Sequence, residues 1–434
     1  MEGRSTTDTP KTAVELSQEF QDVLEELENT NQSFFITGRA GTGKSTLLNL
    51  FRNTTRKKVV VVAPTGVAAL NVKGQTIHSF FGFPPRPDFE SHITKRKSRK
   101  MYLRMEVLVI DEISMVRADI LDGIDKFLRI NREKNIPFGG VQVVFFGDLF
   151  QLPPVVANHM ERVKFQTEYE SPYFFSAEVI NRDFDLQVIE LRKIYRQDNR
   201  HFIRLLEAIR TNTIDYDDLE DLNERYVPEF ESEEFYITLT SRNKTADAVN
   251  IRELASLEGV SYYFNAKIEG KFEPRLFPAP GTLELKLGAQ VMFIRNDVIN
   301  RAYVNGTIGI VRSISQDKVI VEIEDQNGDR KEIKVEKEEW EILKYRVSKV
   351  GAIESEVIGT FSQLPLKLSW AVTIHKSQGK TFTKVIIDMA GGAFEHGQTY
   401  VALSRCRSLE GIVLKTKLTP RDVMVDPRIV DYYG

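Results

Sequence analysis

Residues 38–45 read Gly38-Arg39-Ala40-Gly41-Thr42-Gly43-Lys44-Ser45, a complete match to G-x-x-x-x-G-K-[ST]. A strand-like run, Ser33-Phe34-Phe35-Ile36-Thr37, precedes it, and a helix-like run with Leu47, Leu48, Leu50 and Phe51 follows. Strand, loop and helix in that order are what this motif requires. The glycines let backbone N–H groups turn inward around a phosphate chain, and the helix N-terminus adds partial positive charge. Lys44 brings a full charge for the outer phosphates, and the Ser45 hydroxyl suits Mg²⁺. A Gly-rich turn that binds nothing is the bland alternative, and eight matching positions in this context argue against it.

Other apolar runs also end in polar or glycine residues. Residues 57–63 end in Pro64-Thr65-Gly66, 107–110 in Asp111-Glu112, and 141–146 in Gly147-Asp148 followed by Gln151. Continuous apolar runs suit strands of a parallel sheet covered on both faces, and ligands sit at the carboxyl ends of such strands. Carboxylates at a buried strand end are costly to desolvate, so Asp111 and Glu112 are expected to do chemistry. Asp111 would hold Mg²⁺ with Ser45, and Glu112 would activate the attacking water. Gln151 would sense the terminal phosphate, unless its loop is simply stiffened by Pro153 and Pro154. Phosphoryl transfer gains from a cation on the developing charge, and Arg196 and Arg405 are the candidates.

The elements that must position these residues divide the chain. At 434 residues it exceeds one ordinary core. Alternating strands and helices predict a doubly wound α/β domain, and a second series at 235–239, 291–294, 368–372, 385–389 and 412–414 predicts another. Ser17 reads as the N-cap of an early helix, and Gln18 or Gln21 on that helix can read an adenine edge. Residues 74–103, with prolines 84, 85 and 87 and the run Lys95-Arg96-Lys97-Ser98-Arg99-Lys100, read as a surface excursion. That basic run is either a solvated face or a nucleic-acid contact, with His78, Phe80 and Phe81 nearby to stack on bases. Asn305-Gly306 and Asn327-Gly328 mark turns, and alternation at 319–323 and 331–335 predicts exposed hairpin strands of a small β insert.

Composition is that of an ordinary globular chain: 41% hydrophobic, 28% charged, net charge −3. The charge balance decides nothing about nucleic acid, because a groove can be basic on an acidic protein. The single cysteine, Cys406, excludes an internal disulfide. Residues 1–12 read as a frayed polar start with no targeting segment, and no apolar run approaches the ~20 residues of a membrane helix. The expected compartment is therefore the cytoplasm or nucleoid of a bacterium, or the nucleus or mitochondrion of a eukaryote.

The ordered set GRAGTGKS, APTGVAA, GQTIHSFFG, VLVIDEISM, FFGDLFQLPPV, LRKIYRQ, TIHKSQGKTF and YVALSRCRS resembles the Pif family (petite integration frequency) of superfamily-one DNA helicases, and more distantly the RecD type. The resemblance runs from about residue 14 to 416. It implies two tandem RecA-like phosphate-loop domains, 1–190 and 191–434, with a wedge insert at 74–103 in the first and an SH3-like β-barrel insert at 303–361 in the second. It implies ATP and Mg²⁺ in the cleft between them, held by Gln18, Gly38, Gly41, Thr42, Gly43, Lys44, Ser45, Thr46, Gln378 and Gly379. Arg196 and Arg405 would reach the γ-phosphate. Pro64, Thr65, Gly66, Thr76, His78, Phe80, Thr373, His375 and Ser377 would line single-stranded DNA. The family pattern Leu-Ser-x-Glu-Gln has Phe20 in its last place here, which leaves the adenine contact open between Gln18 and Gln21. The implied activity is ATP-driven 5′-to-3′ unwinding of 5′-tailed or forked duplexes, with G-quadruplexes and RNA–DNA hybrids as further substrates. Roles in repair, recombination and telomere maintenance belong to the family. A monomer is expected. A nucleotide-gated DNA-binding switch and a small-molecule kinase remain as alternatives, and DNA-stimulated ATP hydrolysis separates them.

Overall fold

The computed structural model describes residues 16–433 apart from 85, 87, 157, 183, 298–301, 316–317, 326–327 and 390–391. The expected polar start at 1–12, prolines 85 and 87, and the Asn327 turn residue lie outside the described residues.

Six strands form a wholly parallel sheet: β1 Ser33–Gly38, β2 Val59–Ala63, β3 Gln75–Thr76, β4 Val107–Ile110, β5 Gln142–Phe146 and β6 Leu186–Leu191. Their order is β3-β2-β4-β5-β1-β6. The apolar runs lack a polar face because both faces are covered. Phe34, Ile36, Val61, Val107, Val109, Val144 and Phe146 point into one hydrophobic cluster. Phe35, Val60, Val62, Leu108, Ile110, Val143 and Phe145 point into another. The first face is covered by helix α1, Gln18–Asn29, through Phe20, Val23 and Leu27, and by helix α2, Lys44–Thr54, through Leu47, Leu48 and Phe51. Ser17 caps α1 as expected, its Oγ accepting from the Phe20 N–H at 3.4 Å.

The second parallel sheet has four strands in the order Ala371–Thr373, Ile237–Thr240, Val385–Asp388, Ile412–Leu414. It is smaller than the sequence suggested. The apolar run at 291–294 goes elsewhere: Gln290–Phe293 is antiparallel to both Ile308–Ile314 and Leu366–Leu368. Those strands belong to a five-stranded antiparallel sheet that also contains Val319–Glu324 and Arg330–Val335, paired as the expected hairpin. Antiparallel structure begins well before 303, at Tyr262–Asn265. Buried apolar strands of four residues look alike in either kind of sheet, which is why the run was misplaced.

A long hairpin, Glu338–Val347 with Ile353–Gln363, reaches back to the first sheet. The Tyr345 hydroxyl accepts from the Val61 N–H at 3.1 Å, covering β2 where the short β3 ends, and Arg104 donates to the Gly351 carbonyl at 3.0 Å.

Residues 74–103 are less of an excursion than expected. Gln75–Thr76 joins the sheet, and Phe80, Phe81, Phe83 and Phe89 are buried. Phe80 packs on Phe81 at 4.9 Å, Tyr102 at 5.5 Å and Tyr345 at 5.9 Å between ring centroids. This corrects its reading as a base-stacking residue, because the ring is 7% exposed and its neighbours are other rings. The basic run is partly pinned: Lys95 and Arg99 pair with Glu133, and Arg96 donates to the Phe81 carbonyl at 2.7 Å beside the Phe127 ring. No described helix is long and apolar enough to cross a membrane.

If Phe80 is core, Phe80→Ala should lower unfolding stability by about 3–5 kcal/mol, measured by urea denaturation. A change within about 0.5 kcal/mol would return Phe80 to the surface.

Candidate active site

The loop between β1 and α2 is built by its glycines. Gly41 has φ +88°, and a Cβ there would sit 2.5 Å from the Arg196 Cβ, so only glycine lets segment 195–197 lie against the loop. The Tyr195 N–H donates to the Gly41 carbonyl at 2.9 Å. Gly43, at φ +85°, abuts Phe20 and leads into Lys44, the first residue of α2. Lys44 Nζ donates to the carbonyls of Gly38 at 2.6 Å and Arg39 at 3.0 Å. Burial pulls the Lys44 ammonium below the usual lysine range, against the pull of Asp148 and Glu112. Thr42 is buried beneath the loop, with Oγ1 donating to the Arg39 carbonyl at 3.0 Å, and Ser45 and Thr46 are exposed. A glycine cradle, a helix N-terminus and a half-buried lysine fit a phosphate chain.

Two carboxylates lie at the end of β4. Burial, with Glu112 beside it, pushes Asp111 up to about 8, and burial raises Glu112 as well. Glu112 adopts left-handed backbone, φ +51° and ψ 48°, which a glutamate holds only when its surroundings impose it. Its Oε2 accepts from Gln378 Nε2 at 3.3 Å, a bond across the two α/β units. At the end of β5, Gln151 Nε2 donates to Asp148 Oδ2 at 3.0 Å. Among the described residues no three His, Cys, Asp or Glu side chains are placed to hold a metal ion by themselves. One hydroxyl and one carboxylate, Ser45 and Asp111, are hard oxygen donors that fit a Mg²⁺ sharing its shell with phosphates and water.

The second α/β unit contributes cations. Arg405 is 1% exposed, held through Nε to the Val401 carbonyl at 2.8 Å and through Nη2 to Ser404 Oγ at 2.8 Å. Arg196 Nη1 and Gln197 Nε2 both donate to the Ser404 carbonyl, at 3.0 and 3.2 Å. Burial lowers Arg405 to about 10 and, with Arg405 opposing it, Arg196 to about 9. One cleft of about 2060 Å³ is lined by residues 40–46, Asp111, Glu112, Gln151, Arg196, Gln378, Gly379 and Arg405. The structure thus brings most of the expected nucleotide residues together.

Gln18 is not among them. It is exposed and donates to Asp22 at 2.6 Å, while Gln21 donates to the Leu16 carbonyl at 2.8 Å. The loop is flanked instead by Phe20 and the half-exposed Tyr195, whose ring centroids are 6.1 Å apart. Gly38 lies under the loop against Leu191. Sequence patterns also passed over Arg210 and Tyr400. Arg210 is buried, 3.7 Å from Asp148 and 4.3 Å from the Phe150 ring centroid. Tyr400 OH accepts from the Ala40 N–H at 2.9 Å and donates to Asp148 at 3.4 Å. Arg210 carried a signal, since it falls one turn after Leu206 on the apolar face of helix Arg200–Thr211; Tyr400 carried none.

The expected strand contacts divide. Thr65, Thr76 and Thr373 cap short helices, their hydroxyls accepting from the N–H groups of Ala68, Ser79 and Lys376 at 3.2, 3.2 and 3.3 Å. Thr65 and His375 border the cleft; Pro64, Gly66, Thr76, His78 and Thr373 are not among the residues that line it, and Thr373 lines a separate groove. Gly66 faces Leu276 of the second unit. His375 Nε2 is 2.9 Å from Glu395. Burial, with Arg117 and Arg275 near, keeps the half-buried His78 below the usual histidine range. Ser377 is corrected: it is fully buried and donates to the Ile374 carbonyl at 2.7 Å, so its hydroxyl serves its own turn.

A family model described as PIF1-like helicase matches residues 15–220. The ATP-dependent DNA helicase Pif1 of Bdellovibrio bacteriovorus is 32% identical over 98% of this chain and 93% of its own. The corresponding proteins of Emericella nidulans and Homo sapiens are each 33% identical over 95% and 98% of this chain. The chain spans only 62% and 64% of their lengths. Among solved structures, a double mutant of the Bacteroides Pif1 helicase is 38% identical with a TM-score of 0.88, covering 96% of both chains. Bacteroides Pif1 bound to ssDNA is 39% identical at the same coverage, with a TM-score of 0.67. With a phosphate loop, paired carboxylates and two arginines gathered in one cleft, and with likeness along nearly its whole length, the chain belongs to the PIF1-like helicase family.

Proposed function

We propose that the protein is an ATP-dependent DNA helicase that moves 5′ to 3′ on single-stranded DNA and opens 5′-tailed or forked duplexes. The observation that carries this reading is the single cleft in which Lys44, Asp111 and Glu112 of one α/β unit face Arg196 and Arg405 of the other side. A kinase for a small molecule has no need of a second α/β unit placed against the first. We read the units as two RecA-like lobes, 1–190 and 191–434, the 74–103 segment as the wedge insert, and the antiparallel sheets around 303–361 as the SH3-like insert.

Bound ATP would supply the phosphoanhydride bond, and Mg²⁺ would supply positive charge to offset that of the phosphates. Lys44 and the loop N–H groups bind the phosphates. Ser45 and Asp111 would hold the metal. Glu112 takes the proton of the attacking water, and burial that raises its proton affinity makes it a stronger base. Gln151, fixed by Asp148, orients that water. Arg196 and Arg405 place charge where it develops in the transition state. Neither glutamine of α1 reaches the cleft, so the exposed ring of Tyr195 is the group best placed against the adenine. Thr65 and His375 border the same cleft and would hold the strand through its backbone, with little sequence preference. The polarity rests on the family resemblance, as does the monomeric state.

ATP hydrolysis measured with and without a single-stranded oligonucleotide tests the proposal. Stimulation by DNA is expected, together with unwinding of duplexes carrying a 5′ tail and little activity on 3′-tailed ones. Hydrolysis indifferent to DNA would reduce the protein to a switch, and efficient opening from a 3′ tail would reverse the polarity.

Glu112→Gln should keep nucleotide binding while turnover falls by about 10²–10⁴-fold. Lost affinity with turnover intact would exchange the roles of the two carboxylates.

Arg405→Ala and Arg196→Ala should depress kcat more than nucleotide affinity, by about 10³-fold for the stronger. Steady-state kinetics beside equilibrium binding of an ADP fluorophore decides this. Equal losses in both would make the arginines structural.

A further inference from the structure

Asp148, just past the end of β5, is 1% exposed. Two groups of its own loop hold its carboxylate. The Phe150 N–H donates to Oδ1 at 3.2 Å, and Gln151 Nε2 donates to Oδ2 at 3.0 Å. An amide's orientation is set by its hydrogen bonds. With Nε2 turned to Asp148, the Gln151 Oε1 is the end left to accept from water in the cleft that Gln151 lines.

The rest of the grip on this loop comes from the second α/β unit. Tyr400 OH donates to Asp148 Oδ2 at 3.4 Å. Gly397, at φ +72°, lies so close that a Cβ there would collide with the Phe150 carbonyl and sit 2.5 Å from that of Gln151. Arg210, on helix Arg200–Thr211, is 4% exposed. Its Nε is 3.7 Å from Asp148 Oδ1, its Nη2 is 3.7 Å from Glu190, and its Nη1 donates to Glu207 at 3.3 Å. The guanidinium also lies over Phe150, 4.3 Å from the ring centroid, and that ring is stacked on Tyr433 at 5.4 Å with 13° between the planes. Tyr433 OH is hydrogen-bonded to Thr37, the residue before the phosphate loop, at 2.8 Å.

A buried ion pair is a weak source of stability, and apolar side chains of similar volume usually serve a core as well. Arg210 is better explained by what a guanidinium alone offers, charge toward a carboxylate together with a flat face against a ring. Its two targets, Asp148 and Phe150, are the residues that fix Gln151 in place. Arg210 itself is not among the residues that line the cleft. Its buried Nε has no hydrogen-bond partner among the described residues. Closing the gap to Asp148 takes a movement of about 1 Å. Displacements of that size in a group that orients a reactant change rates by as much as about 10²-fold.

We propose that Arg210 is a positioning residue for ATP hydrolysis: from the second unit it fixes Asp148 and Phe150, and through them the Gln151 amide that orients the attacking water. The proposal rests on the helicase reading above, in which Gln151 has that role. Because Arg210 acts through Gln151, its removal should cost nothing further once Gln151 is gone.

The test is DNA-stimulated ATP hydrolysis by the full chain at saturating ATP, beside equilibrium binding of an ADP fluorophore. Arg210→Met should lower kcat by about 10–10²-fold and leave ADP affinity within about twofold of the parent. Gln151→Ala should lower kcat as well, and the double variant should be no slower than Gln151→Ala alone. Arg210→Lys keeps a charge among the three carboxylates without the flat fork, so its kcat should fall between those of Arg210→Met and the parent. That loss too should vanish in the Gln151→Ala background, which decides the matter should Arg210→Met fail to fold in urea denaturation. Losses that multiply in the double variants would make Arg210 structural and overturn the proposal while leaving the helicase reading intact. A fall in ADP affinity equal to the fall in kcat would do the same. Parent-like kcat in Gln151→Ala would overturn both the proposal and the role given to Gln151. A parent protein that hydrolyses no ATP would overturn the helicase reading itself.

Discussion

The structure is organised by charge taken out of water. The half-buried Lys44, Arg196 and Glu112 share one cleft with the buried Arg405 and Asp111, with Asp148 behind it, and burial is the leading cause of displacement for Lys44, Asp111, Glu112, Arg196 and Arg405. Each buried ion carries a desolvation penalty of several kcal/mol unless partners offset it. The partners here offset it incompletely. Arg196 and Arg405 oppose each other, and Asp111 and Glu112 do the same. A folded core gains nothing from this pattern. It becomes favourable with a polyanion between the arginines and a cation beside the carboxylates, which is the charge distribution of a nucleoside triphosphate with its metal.

That constraint explains how the two units are fastened. Around the phosphate loop the units meet through polar contacts, among them Tyr400 to the Ala40 N–H, Tyr433 to Thr37 at 2.8 Å, Arg39 to Glu207 at 2.9 Å, and Gln378 to Glu112, and through the rings of Tyr432 and Tyr433 packed on Phe35 and of Tyr433 stacked on Phe150. Hydrogen bonds of this kind are modest in net energy, so a ligand that binds more tightly to one arrangement of the units can exchange them. The hairpin adds a second fastening through Tyr345 on β2, the strand that ends in Pro64 and Thr65. The edge of the sheet and the proposed strand site therefore share a support.

The polar residues that line the cleft were legible in the sequence because buried parallel strands have only their ends free for polar residues. Asp111, Glu112, Asp148 and Gln151 could be placed from that rule alone. What escaped depended on distant chain. Phe80 beside Phe81 and a Pro-rich segment reads as an exposed stacking pair until Tyr345, 265 positions later, covers it. The run at 291–294 has no feature that distinguishes parallel from antiparallel pairing. Ser377 sits in a motif that resemblance assigned to the strand, yet the turn needs its hydroxyl. Gln18 has the chemistry to read an adenine edge, and helix geometry leaves it paired with Asp22 on the solvent side. In each case local residue type was read correctly and the three-dimensional neighbour decided the role.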